Sequence, residues 1–212
     1  RERYVKHLYK KLQREGQLER DVDRLVRNDR IAWGSSMIAC KDADAMVTGN
    51  IRHYAASIEK LKKVVDARPG EEIFGMTMLV SKGKTILVAD TNVQDFPSAE
   101  RLVNVSISCV RVAKLFGFDP KVAFLSHSTF GKPVSKNTKH VRDAIELLKT
   151  KNVDFDFDGE MQPDVALNPI YQEIYPFSKI VGKANVLIMP ALHSAAISTK
   201  LMKVFGGGKN IG

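Results

Sequence analysis

Three short stretches hold residue types that can do chemistry. Residues 126–133 read SHSTFGKP, in which the Ser126, Ser128 and Thr129 hydroxyls, amides freed near Gly131 and the Lys132 ammonium can all donate to phosphate oxygens. Small hydroxyl residues also terminate strands and cap the next turn or helix, and that second reading stays open. Residues 158–164 read DGEMQPD, where Asp158 and Asp164 could orient a helix or touch a ligand. The alternation before them puts Asp154 and Asp156 on one strand face, which is a solvated face more simply than a metal site. Residues 190–196 read PALHSAA and set His193 and Ser194 at a helix start, where positive dipole and unpaired N–H groups favour an anion. Neither a Walker loop nor GxGxxG occurs, and no Ser-His-Asp or Cys-His arrangement argues for nucleophilic catalysis.

These residues need elements to bring them together. The pattern alternates strand 121–126, helix 138–150, strand 153–158, helix 163–174, strand 184–189 and helix 194–205. A βαβαβα series of this kind forms an open, mostly parallel α/β sheet with helices on both faces, and its strand tips share one carboxyl rim. Ahead of it, IFGMTMLV and TILVAD flank SKGK as a hairpin, and Ser98 caps a long helix that closes at Gly117. The first 30 residues read as a helical hairpin with a turn at Gly16, residues 42–49 as a short strand, and Tyr54, Ile58, Leu61 and Val65 as a helix. The stretch ARPGEE is the best linker, so two subdomains are expected, residues 1–66 and 67–212.

The balance of 33 Lys and Arg against 24 Asp and Glu gives a formal charge of +9, spread without a dense tract or interleaved aromatics, so nucleic acid is not the expected partner. Cys40 and Cys109 stand alone, as in a reducing cytoplasm. No stretch approaches the ~20 apolar residues that cross a bilayer, and no membrane is expected. Opening on Arg1, the sequence reads as a piece of a longer polypeptide.

Together, DADAMVTG, LVADTNVQDFPSAERL, VAFLSHSTFGKP, DFDGEMQPDVALNP and ANVLIMPALHSAAISTKL resemble the phosphate acetyltransferase family through the whole chain. The details STFGKP, GEMQPDVALN, YPFSKIVGKANVLIMP and LHSAAISTK are similar to the version fused behind the catalytic part of bacterial NADP-dependent malic enzymes. That resemblance implies a two-subdomain α/β unit, truncated at both ends, whose cleft takes acetyl-CoA or CoA, and in true acetyltransferases phosphate. Carried over motif by motif, the cleft positions are Thr48, Gly49 and Arg52, the turn of Ser126, His127, Ser128, Thr129, Gly131 and Lys132, and the tips at Asp158, Asp164, His193 and Ser194. Two departures bear on function. Where the enzymes read close to STGTSG this chain has Ser128, Thr129, Phe130, Gly131, Lys132 and Pro133, and where they read close to DLNAGN it has Ala191, Leu192, His193, Ser194, Ala195 and Ala196. The family's Ser-Arg pair and following Asp fall beyond Gly212. The expectation is an acetyl-CoA-binding regulatory domain that associates as a homo-oligomer and acts on its own malic-enzyme catalytic domain. NADP and a divalent Mg or Mn ion would belong only to that parent. An active phosphate acetyltransferase is the alternative.

Overall fold

The computed structural model describes residues 1–49, 52–90 and 93–211, and the chain divides into two compact units, Arg1–Pro69 and Gly70–Gly212. In the first, helices α1 (Glu2–Leu12), α2 (Glu19–Asn28), α3 (Arg30–Ala39) and α4 (Tyr54–Val64) bury Val5, Leu8, Leu12, Val22, Val26, Ala32 and Val64 together. The apolar spacing of three and four residues in α1 and α2 puts those side chains on one stripe. Gly16, at φ 81, turns the chain between them. Helix α3 starts where Asp29 Oδ1 accepts from the Ile31 and Ala32 amides at 2.9 and 3.2 Å. The strand expected at 42–49 is absent: Arg3 and Tyr4 hold Asp42 at 3.0 and 2.8 Å, Val47 is fully exposed, and among the described residues this unit has no strand for the segment to pair with.

The second unit holds one six-stranded sheet of β1 (Met76–Ser81), β2 (Lys84–Ala89), β3 (Lys121–Leu125), β4 (Asp156–Met161), β5 (Val186–Ile188) and β6 (Lys209–Ile211), in the order β4-β3-β5-β2-β1-β6. The first four in that order are parallel, and β1 is antiparallel to β2 and β6. Strand alternation splits the core cleanly. Val122, Phe124, Val186 and Ile188 face α5 (Ala99–Leu115) and α6 (Lys139–Lys149), whereas Ala123, Leu125 and Leu187 face the layer of α7 (Pro163–Leu167) and α9 (Leu192–Phe205). Ser98 caps α5 by accepting from the Arg101 amide.

Several boundaries differ from the sequence pattern. The hairpin turns on Lys82 and Gly83 alone, both at positive φ, with Ser81 and Lys84 already paired. The helix expected over 163–174 is two pieces, α7 and α8 (Pro169–Gln172), because the residue before a proline avoids helical geometry and Asn168 caps the second piece through the Ile170 amide. Strand β4 runs to Met161, three residues past the expected end, so Asp158 is within the strand and not at its tip.

Candidate functional site

Between β3 and β5 the chain leaves in opposite senses. From β3 it crosses to α6 on one face, and from β5 it enters α9 on the other. In an open α/β sheet this arrangement leaves a crevice outside the carboxyl ends of the two strands. A cavity of about 490 Å³ lies there, walled by Ser126 and His127 from the end of β3, His193 and Ser194 from the start of α9, and His140 from α6. Among the described residues no carboxylate lines it. Phe96, from the loop before α5, is 61% exposed, and its ring lies 6.2 Å from that of His193 and 5.5 Å from that of His140. His140 Nε2 donates to the Pro190 carbonyl at 3.0 Å, which fixes that imidazole against the wall. The first turn of α9 has no side-chain cap; its Leu192 amide donates to the Asp95 carbonyl at 3.1 Å, which leaves the His193 and Ser194 amides and the dipole for an anion. The crevice therefore offers hydroxyls, imidazoles, helix amides and an aromatic platform, a set suited to a phosphorylated ligand that also carries an apolar or ring group.

The SHSTFGKP turn lies partly inside the fold. Ser128 is fully buried and donates its hydroxyl to Glu160 Oε1 at 2.6 Å. The Ser128, Thr129, Phe130 and Lys132 amides donate to Ser126 Oγ, the Lys132 carbonyl, the Glu160 carbonyl and the Thr129 carbonyl. Thr129 Oγ1 accepts from the Gln162 amide. These groups serve the turn itself. Gly131 takes φ 85 and Phe130 φ 47, and the Phe130 ring packs at 5.3 Å from Tyr175 and 4.8 Å from Phe177. Thr129, Lys132 and Asp164 line a separate hollow of about 570 Å³ beside that aromatic cluster.

Asp158 is used within the sheet: its carboxylate accepts from the Gly159 and Lys179 amides at 2.9 and 2.7 Å. In the first unit, Thr48 and Gly49 are exposed, and Arg52 Nη1 pairs with Asp29 Oδ2 at 2.6 Å. Of the thirteen expected positions, Ser126, His127, His193 and Ser194 share the crevice. Sequence reasoning missed Phe96 and His140 there. Neither falls on a strand tip, and only the packing of the α5 and α6 amino ends brings them to the rim.

Beneath the crevice, β4 gains one residue against β3 where Gly159 pairs with Phe124 and Met161 with Leu125. This bulge turns Glu160 toward α6, where Arg142 Nη1 meets its Oε1 at 3.0 Å. Among the described residues no group of three or more His, Cys, Asp or Glu side chains is placed to hold a metal ion.

The family model for phosphate acetyl/butaryl transferase matches residues 1–212. The chain belongs to that family. An NADP-dependent malic enzyme of Rhizobium meliloti (strain 1021) is 46% identical over 209 residues, which are 99% of this chain and 28% of that protein. A phosphate acetyltransferase of Bacillus subtilis (strain 168) is 28% identical over 201 residues, 94% of this chain and 62% of that protein. A phosphotransacetylase structure from Streptococcus pyogenes superposes with a TM-score of 0.87 at 28% identity, covering 99% of this chain and 65% of that one. The chain thus spans under a third of the malic enzymes it matches. The mostly parallel six-stranded sheet with helices on both faces is the fold that the family implied. No helix among the described residues is long and apolar enough to cross a membrane.

Proposed function

We propose that this chain is the acetyl-CoA-binding regulatory part of an NADP-dependent malic enzyme, an enzyme that oxidatively decarboxylates malate to pyruvate. One observation carries the reading: the turn that would cradle a phosphate is closed on its own hydrogen bonds, with Phe130 packed against Tyr175 and Phe177, while the crevice beside it stays open. A turn whose amides are spent on its own hydrogen bonds has fewer donors left for a transferred phosphate, whereas the crevice can still take an effector. The 46% identity to a malic enzyme across the chain supports the same reading. Ser126, Ser194, His127 and His193 would receive the phosphates of CoA and Phe96 its adenine.

The effector can regulate only by linkage, binding one arrangement of the parent more tightly than another. On the malic-enzyme reading, NADP and the Mg or Mn ion belong to the parent outside this chain. A homo-oligomer is proposed with it: Ile197, Leu201, Val204 and Phe205 follow one side of α9 and are all exposed, an apolar face that a second copy would cover. Sedimentation at increasing protein concentration tests that part, with a persistent monomer overturning it.

The deciding experiment is malate-dependent NADPH formation by the parent polypeptide with and without acetyl-CoA, wild type beside His193→Ala and Ser194→Ala. Inhibition by acetyl-CoA that weakens about tenfold or more in the variants, at unchanged basal turnover, supports the sensing role. Inhibition equal in all three overturns the crevice as the effector site. The second reading is an active phosphate acetyltransferase, favoured by coverage of 62% of the Bacillus subtilis enzyme. Formation of acetyl phosphate and free CoA from acetyl-CoA and inorganic phosphate would establish it.

A further inference from the structure

At the opposite edge of the sheet from the crevice, where β2 and β5 begin, a cavity of about 580 Å³ opens between the β1–β2 hairpin and the carboxyl end of α9. Its volume is that of a small-molecule site. Leu79, Ile86 and Leu167 form an apolar wall continuous with the core on that face of the sheet, and exposed Met202 lines the slot beside them. The polar groups that also reach it are largely spent: Ser81 Oγ donates to the Gly206 carbonyl, and the Asn185 side chain accepts from the Lys121 amide and donates to the Asp119 carbonyl. Nucleotides and sugars need free polar walls, and these walls are not free.

The mouth is of another character. Lys82, Lys84 and Lys183 line it, all three are exposed, and none makes an ion pair or side-chain hydrogen bond among the described residues. No Asp or Glu lines the cavity. Three uncompensated ammonium groups therefore ring one apolar slot. An apolar interior with a cationic mouth selects a molecule with one apolar chain and one anionic end, since the chain gains by leaving water and the head stays at the surface against the lysines.

We propose that this cavity binds a single free fatty acid anion of medium chain length, chain inward and carboxylate at Lys82, Lys84 and Lys183. Short anions lack the apolar surface to gain from the walls. A bilayer would present many head groups to a mouth that admits one chain.

The test is calorimetric titration of the full chain with octanoate, decanoate and dodecanoate below their micellar concentrations. One saturable site is expected, tightening by about fourfold for each added methylene. The triple variant Lys82→Glu, Lys84→Glu, Lys183→Glu changes only exposed side chains and should bind dodecanoate at least about tenfold more weakly with its thermal unfolding unchanged. Met202→Trp, which fills the slot from a partly exposed position, should abolish the gain with chain length while leaving the lysines in place. Dodecanol, which lacks the charge, should bind wild type no more tightly than dodecanoate binds the triple variant. No saturable binding, equal binding to the charge-reversed chain, or binding to phosphatidylglycerol vesicles but not to monomeric dodecanoate would each overturn the proposal.

Discussion

Ser128 donates its hydroxyl to Glu160 Oε1 over 2.6 Å, and both side chains are shut away from water. Arg142 reaches the same oxygen at 3.0 Å and also donates to Thr138 Oγ1, whose residue lines the crevice, while Ser128 meets crevice-lining Ser126 at 3.2 Å. The wall of the crevice is thus braced from behind by one buried carboxylate. Removing its partly exposed cation leaves the buried carboxylate short of a partner, so Arg142→Ala should cost about 1–3 kcal/mol, whereas Glu160→Gln, which removes the charge and keeps the shape, should cost less. Ser128→Ala should lie at about 1–3 kcal/mol. Urea unfolding with an unchanged slope checks all three, and an Arg142→Ala chain as stable as wild type would remove the buried carboxylate as the brace.

The bulge that aims Glu160 depends on the residue before it. Gly159 sits at φ 148, and a Cβ there would lie 2.6 Å from the Phe124 carbonyl oxygen, inside the β3–β4 pairing. Gly159→Ala should therefore destabilise by about 3 kcal/mol, combining backbone strain with a clash that only a strand shift can relieve. Gly83→Ala is the comparison: φ is 71 but no atom lies within 4 Å, so about 1 kcal/mol is expected. Equal losses in the two variants would mean that strain alone, and not the close approach, sets the cost.

A feature is legible in the sequence to the extent that it is local. The order of β3, α6, β4, β5 and α9 was legible because each repeats an apolar period within itself. The break at Asn168 was legible in principle, as Pro169 forces it. Glu160 was not: DGEMQPD reads as a tip rich in carboxylates, and only the register slip against Phe124 and Leu125 sends this one inward to Arg142. The same holds for Ser128, whose hydroxyl looks available until the bulge places Glu160 beneath it. Hydrogen bonds formed across distant strands leave no period to read.

Cys109 lies within the α5 core, and burial alone pushes its thiol up to about 12. The thiolate is the reactive form, so Cys109 should resist alkylation in the folded chain at neutral pH and react once the chain is unfolded. Cys40 is also buried. Mass spectrometry after brief iodoacetamide treatment should find both thiols unmodified in buffer and modified in denaturant. Rapid native labelling at Cys109 would show that α5 opens locally.

Arg52, expected at the ligand cleft, instead shares Asp29 with Lys60. Burial opposes ionisation of this carboxyl, but the hydrogen bonds from Lys60 and Arg52, with those from the Ala32 and Ile31 amides, outweigh it and hold Asp29 well below the usual carboxylate range. The folded chain therefore keeps Asp29 ionised to lower pH than the unfolded chain does. Its contribution to stability is complete above the ordinary aspartate value of 3.8 and is lost progressively as pH falls below it. Asp29→Asn keeps an oxygen for the helix cap and removes the charge, so the variant should lose stability at pH 7, and its gap to wild type should be smaller at pH 3 without closing, since the folded carboxyl is still ionised there. Urea midpoints for both chains at the two pH values decide it. A gap between them that stays constant would assign the role of Asp29 to capping α3, and would leave the Arg52 guanidinium free to serve a ligand.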